Sequence, residues 1–184
     1  MEDIISKFNV EIEAKYGVKC GVSKMNNSMF YAELRDACKS NSCGNYGLCH
    51  TCPPNIGDAE ECIKMVQSYK IFIAFQHIYE LDDSYDYEGM VEGQRKFKIV
   101  MSDVADLARQ TFNDPLILGA GGCQICERCT AKDGLPCRFP DKALSSLEAN
   151  CIQVSQFSEL CGMKYINGQN TVTYFGGIFL NEDY

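Results

Sequence analysis

Ile5, Phe8, Ile12 and Tyr16 recur at intervals of three and four residues, which draws one apolar stripe along a helix that Gly17 can close as its left-handed C′ residue. Val18–Val22 reads as a short strand. Met29–Ala37 has the character of a second helix that delivers Cys38 into a loop, and Pro53-Pro54 forbids any helix from continuing there. Asp58 followed by Glu61 has the form of a capping box, opening a helix that carries Cys62 and Val66 on one face and ends near Ser68.

The run Ile71–Ile78 is almost continuously apolar and β-favouring, as expected of a central strand buried on both faces. Residues 80–89 (ELDDSYDYEG) are polar and acidic and predict a solvated loop. Phe97, Val100, Met101, Val104, Leu107 and Phe112 keep helical spacing from about Glu92 to Phe112, the strongest periodic signal in the chain. Leu116–Leu118 predicts a short strand, and Ser145-x-x-Glu148 a capping box that starts another helix. Asn167-Gly168 lies between Tyr165-Ile166 and the alternating Thr171–Phe175, which predicts a two-residue hairpin. Helices and strands follow one another without strict repetition. The expected fold is therefore α+β, a mixed β-sheet flanked by helices, with two cysteine-rich metal-binding loops.

The 184 residues, 46% of them apolar, suffice for one core, so residues 1–184 are expected to form a single domain. The first residues are acidic where a signal peptide needs positive charge, and no apolar run approaches the length of a membrane span. A cytoplasmic protein without a membrane partner is expected. A net charge of −8 and the lack of a basic stripe argue against binding nucleic acid. The partner classes left are a redox protein, for whose basic face an acidic surface is suited, and a small-molecule substrate.

The cysteines change the picture most. Cys123, Cys126, Cys129 and Cys137 follow C-x2-C-x2-C-x7-C, directly after the run Pro115–Gly122. Two-residue gaps let successive thiolates converge on one small body, and a third cysteine at the same interval resembles the ferredoxin run C-x2-C-x2-C-x3-C-P more than the paired knuckles of most zinc sites. Lys132–Pro136 would loop back to bring Cys137 to the fourth corner of a [4Fe-4S] cubane. The alternative is tetrahedral zinc held by four thiolates.

Upstream, Cys38, Cys43, Cys49 and Cys52 follow C-x4-C-x5-C-x2-C, a second metal-binding loop whose spacing matches no ferredoxin pattern. His50, between Cys49 and Cys52, allows a zinc site with one nitrogen ligand, although a flanking bystander is its ordinary role. In the cytosol such clustered thiols stay reduced, so metal explains them better than disulfides. Cys20, Cys62, Cys151 and Cys161 lie outside the two loops and read as core packing. With only His50 and His77 available, a histidine-based triad is not expected. Of the charged residues flanking the loops, Arg35, Asp36, Arg128 and Arg138, the last is the best placed to approach a bound group, because Phe139-Pro140 follows it.

Residues 35–47 (RDACKSNSCGNYG) with Cys52-Pro-Pro54, and 122–130 (GCQICERCT) with Pro136–Pro140 and Ser146–Ala149, resemble the two motifs of a bacterial and archaeal family described as predicted metal-binding proteins, a domain of unknown function. The likeness covers most of the chain. In the family pattern Cys38, Cys43 and Cys52 match motif cysteines, the position of Cys49 varies, and Cys151 stands where glycine is usual. The resemblance thus implies two alternatives for the first loop: a three-cysteine cluster with one iron open, or a closed cluster with Cys49 as fourth ligand. The function expected is iron–sulfur binding, with two [4Fe-4S] clusters in electron transfer or cluster-dependent redox chemistry in an oxygen-poor cell. An open iron would make the chain an oxidoreductase or a lyase. The competing expectation is a zinc-stabilised structural or regulatory interaction module.

Overall fold

The computed structural model describes residues 2–182. Helix α1 (Glu2–Tyr16) leads into strand β1 (Lys19–Lys24), and Gly17 closes the helix at φ +66° with its N–H on the Glu13 carbonyl at 3.0 Å. Then follow α2 (Leu34–Lys39), α3 (Ala59–Gln67), β2 (Ile71–Glu80), α4 (Tyr87–Thr111), β3 (Leu116–Leu118), α5 (Val154–Leu160) and β4 (Thr171–Leu180). The α+β class is as expected. The sheet has the order β1-β2-β4-β3, and where a mixed sheet was expected all three pairings are antiparallel. The one parallel contact involving β3's flank is an isolated bridge between Gly119 and Ser146.

β2 lies between β1 and β4, and its alternation explains its apolar run. Ile71, Ile73 and Phe75 enter a core with Ile5, Phe8 and Ile12 of α1 and Phe97, Met101 and Val104 of α4. Phe72 and Ala74 enter the opposite core with Met29, Val66, Leu147, Phe157 and Phe179. Phe72 stacks on Phe157 with ring centroids 4.8 Å apart. β4 serves both faces too, and its two glycines admit bulk on each side. A Cβ at Gly176 would meet Met101 and Phe75, and one at Gly177 would meet Phe157 at 2.9 Å.

The predicted elements shift where local hydrogen bonding overrides periodicity. The capping box of Asp58 and Glu61 forms, and α3 ends at Ser68 as expected. The second helix does not run from Met29: Asn26 caps a short 3-10 turn over Asn27–Met29, and Phe30 bridges to Ile152 before α2 begins at Leu34. Cys38 therefore sits within α2. α4 takes in the end of the expected acidic loop because the Asp86 carboxylate accepts the Gly89 N–H at 2.8 Å and starts the helix at Tyr87. Ser145 does not cap a helix. Ser146 Oγ accepts from Ala149 N–H at 3.1 Å, and only a 3-10 turn, Glu148–Asn150, results before α5.

The expected hairpin at Asn167-Gly168 is absent, since Tyr165 and Ile166 stand exposed and β4 pairs instead with the more apolar β2 and β3. Among the described residues, no helix is long and apolar enough to cross a membrane.

Candidate metal centre

The second cysteine loop is an excursion whose two ends are pinned together. Gly119, just after β3, donates to the Ser145 carbonyl at 2.8 Å and accepts from Leu147 N–H at 3.0 Å, so everything between returns to the sheet edge it left. Inside the loop, Thr130–Asp133 makes a 3-10 turn that Gly134 ends at φ +68°. Thr130 Oγ1 donates to the Pro136 carbonyl at 2.8 Å and Leu135 N–H to the Thr130 carbonyl at 3.1 Å. These bonds fold Lys132–Pro136 back and set Cys137 beside Cys129. Cys123, Cys126, Cys129 and Cys137 consequently line one small cavity, walled also by Ile125, Thr130 and Phe139.

The first loop contributes to the same cavity. Cys49, His50 and Thr51 line it, and Cys49 is buried. The Gly47 N–H holds the Pro53 carbonyl at 2.8 Å, Asn55 Nδ2 holds the Cys49 carbonyl at 3.0 Å, and the Pro53-Pro54 peptide is cis. Three contacts join the loops, one of them between His50 Nε2 and Thr130 Oγ1 at 3.2 Å. Cys123 N–H donates to Thr51 Oγ1 at 3.3 Å, and His50 Nε2 lies 2.9 Å from the Leu135 carbonyl. A carbonyl only accepts, so Nε2 carries the proton. The ring acts as a tie between loops.

Cys49 is poised as a thiolate. The Cys52 thiol donates to it, and the Thr51 hydroxyl and the N–H groups of Thr51 and Cys123 add to this, holding its pKa well below the ordinary thiol range. The same interaction and burial push Cys52 upward. Burial also raises Cys123, against a hydrogen bond from the Ile125 N–H, and the charges of Cys49, Cys137 and Cys129 add to the rise. Lys98 of α4 approaches from the other side and donates from Nζ to the Gly122 carbonyl at 2.7 Å. Burial lowers its pKa, while Cys123, Cys49 and Cys52 pull it upward.

Cys38 is partly buried and Cys43 exposed. Each is within electrostatic range of another thiol: Cys38 of Cys43, and Cys43 of Cys52. The eight candidate cysteines thus form a chain of neighbours rather than two separate fours, with Cys49 and Cys52 at the joint. Among the described residues, no three His, Cys, Asp or Glu side chains stand close enough together to hold a single metal ion. The donor set nonetheless fits a soft metal or a metal–sulfur cluster, because five thiols and no carboxylate line the cavity.

Arg138 turns away from the role considered for it and donates from Nη1 to the Arg128 carbonyl at 3.1 Å, while Arg128 pairs with Asp133 at 2.6 Å on the surface. Arg35 is instead the buried cation, 7% exposed and enclosed by Cys62 and Cys151. Those two cysteines were expected to be plain core, and no spacing connects them, because the fold brings them together from α3 and from the turn before α5. Lys98 had no sequence signal beyond its place on an amphipathic helix.

A sulfur-lined cavity built on an α+β scaffold defines a cysteine-rich protein equipped for metal. The chain belongs to the DUF2284 family of predicted metal-binding proteins, whose family model matches residues 24–180. Neither a curated protein nor a solved structure matches it.

Proposed function

We propose that the chain is an iron–sulfur protein in which Cys123, Cys126, Cys129 and Cys137 hold one [4Fe-4S] cluster and Cys38, Cys43, Cys49 and Cys52 serve a second. The observation that carries this is the grouping of all four second-loop thiols around one cavity whose loop is pinned at its base by Gly119 and Ser146. Thiols that surround a cavity, rather than meeting at a point, suit a body with several metal corners better than one tetrahedral ion.

A bound cubane would supply one-electron redox chemistry. The chain's own residues do the rest. Ile125 and Phe139 limit water at the thiols, the N–H of Cys123 is shared between Thr51 Oγ1 and the Cys49 sulfur, and the Lys98 ammonium offsets thiolate charge at the junction of the loops. Cys49, adjoining both thiol sets, is the natural contact between them, and its loss would separate a linked pair of centres into two. Electron transfer with a basic redox partner in the cytoplasm fits the net charge of −8. Chemistry at an open iron of the first set is the enzymatic variant, favoured by the exposure of Cys43.

The test is anaerobic purification followed by iron, zinc and acid-labile sulfide per chain, with an absorption spectrum. About eight irons and eight sulfides are expected for two cubanes, and about four for one. Zinc without sulfide would overturn the proposal and make the thiols structural zinc ligands.

A further inference from the structure

Adjoining the thiol cavity at Cys123 lies a second, larger cavity of about 390 Å³, between the middle of α4 and the turn Gly119–Gly122. That volume falls within the roughly 300–1,000 Å³ typical of small-molecule sites. Cys123 and Ile125 border both cavities, so an occupant of the larger one would lie against the metal-binding loop.

Its lining runs against the character of the chain. In a protein of net charge −8, the cavity is bordered by Arg95, Lys98 and Lys142, with Asp103 as its one carboxylate. Arg95 is already paired with Glu92, Nε to Oε2 at 2.7 Å. Among the described residues, Lys98 and Lys142 form no ion pair. Lys98 is half-buried and gives one of its three protons to the Gly122 carbonyl, which leaves two donors unassigned. The charges of Cys123, Cys49 and Cys52 offset part of the Lys98 ammonium, and its two remaining donors, with Lys142, are what the cavity offers to an anion. The remaining wall is apolar, and two of its members, Ile99 and Ile125, are 54% and 45% exposed.

We propose that this cavity binds a small organic carboxylate, with its anionic end on Lys98 and Lys142 and its apolar body against Ile99, Ile125 and Leu144. A carboxylate is favoured over a phosphate ester because the cations are two flexible point charges. The features that usually hold phosphate, an unpaired arginine fork or a helix N-terminus, are not among the lining, which meets α4 in mid-helix. The inference does not depend on which metal the thiols hold.

Calorimetric titration of the full chain, purified without oxygen and with its metal content measured, uses phenylacetate as probe. Phenylacetamide is the uncharged match and phenyl phosphate the phosphate match. Phenylacetate is expected to bind at least about ten-fold more tightly than either. Lys142→Gln should weaken it about five-fold or more with metal per chain unchanged, and Lys98→Gln should weaken it at least as much. Should Lys98→Gln lower the metal content by loosening the Gly122 carbonyl, Lys142→Gln, at an exposed side chain that makes no hydrogen bond to the loop, decides alone. No heat from phenylacetate up to about 10 mM, equal affinity for the amide, tighter binding of the phosphate, or undiminished binding by Lys142→Gln would each overturn the proposal. Metal content, read on the same samples, reports separately on the iron–sulfur assignment.

Discussion

Arg35 Nη2 donates to Cys62 Sγ at 2.9 Å in the interior, between α2 and α3. The same guanidinium gives Nη1 to the Gly57 carbonyl at 3.1 Å and reaches the Cys151 thiol, while its Nε has no partner. Cys62 in turn donates to the Ile56 carbonyl at 3.3 Å, so it is held as a thiol and not as a counter-ion. Burial raises both thiols and the guanidinium draws both down, the first effect being the larger. The fork shape of arginine, more than its charge, is what this corner uses.

Arg35→Lys should therefore be worse than Arg35→Met. Lysine keeps a desolvated charge but cannot reach Gly57, Cys62 and Cys151 together, whereas methionine fills the space without one. Urea unfolding should show a loss of about 2–4 kcal/mol for lysine and visibly less for methionine. The reverse order would mean that the positive charge itself is required, and that a thiolate faces it.

Cys151 occupies a left-handed backbone conformation, φ +62°, with its side chain fully buried. Glycine would adopt this conformation without strain, whereas a Cβ costs roughly 1–2 kcal/mol in that region. Cys151→Gly should relieve that strain while losing the sulfur contacts, for a net change within about 1 kcal/mol. Cys151→Ala keeps the strain and loses the contacts, so it should be the less stable of the two in thermal unfolding. Equal stabilities would show that the strain is absorbed elsewhere.

These two residues mark where sequence reasoning stopped. The stripes of α1 and α4, the two-faced run of β2 and the capping box at Asp58 were legible because each depends on neighbours within a few residues. The C-x2-C-x2-C spacing of Cys123, Cys126 and Cys129 was legible for the same reason. The partnership of Arg35 with Cys62 and Cys151, the joining of Cys49 to the second loop, and the pairing of β4 with β2 in place of a hairpin at Asn167 all depend on contacts distant in sequence. Lys98 carries no mark that separates it from the other cations of α4 until the Gly122 carbonyl is seen beside it.

Cys20 packs against the core that holds α1 and α4, and Cys161 against the opposite core, where a Cβ added at Gly21 would come within 2.8 Å of the Cys161 Cβ. Burial pushes each thiol up to about 12. The folded state thus keeps protons that the unfolded chain releases near pH 9, so this stability is complete below pH 9 and is lost as pH rises from 9 toward 12. At pH 10 the expected loss is about 1 kcal/mol per thiol. The double variant Cys20→Ala/Cys161→Ala should flatten the alkaline limb of denaturant midpoint against pH. An unchanged slope would show that both thiols titrate normally.

At Gly176 α4 packs tightly on the sheet, and a Cβ there would collide with Met101 and with Phe75 Cζ at 2.5 Å. Both neighbours are buried in the same core. Gly176→Ala should cost about 2–3 kcal/mol by overpacking, seen as a lower unfolding midpoint. Pairing it with Met101→Ala should recover part of that loss, since the two changes share one volume.

Thr51 is the smallest contact that couples the two cysteine loops. Its hydroxyl lies 3.3 Å from Cys49 Sγ and accepts the Cys123 N–H at 3.3 Å, so one oxygen touches a thiol of the first loop and the backbone of the second. Valine keeps the shape and removes the oxygen. In Thr51→Val the Cys49 thiol loses one of the donors that hold its pKa low and the Cys123 N–H loses its oxygen acceptor and keeps only the Cys49 sulfur, while the packing of the buried methyl is retained. If the thiols hold metal as proposed, the oxygen acts on the ligands from outside, a position where substitutions typically weaken affinity by about 10–100-fold. The measurement is the rate of metal transfer to a chelator under anaerobic conditions, in the variant and in Thr51→Ser, which restores the oxygen. Faster transfer in the valine variant with recovery in serine would assign the effect to the hydroxyl. Equal rates in all three would show that the loops are held together by the His50 bridge and their apolar contacts alone.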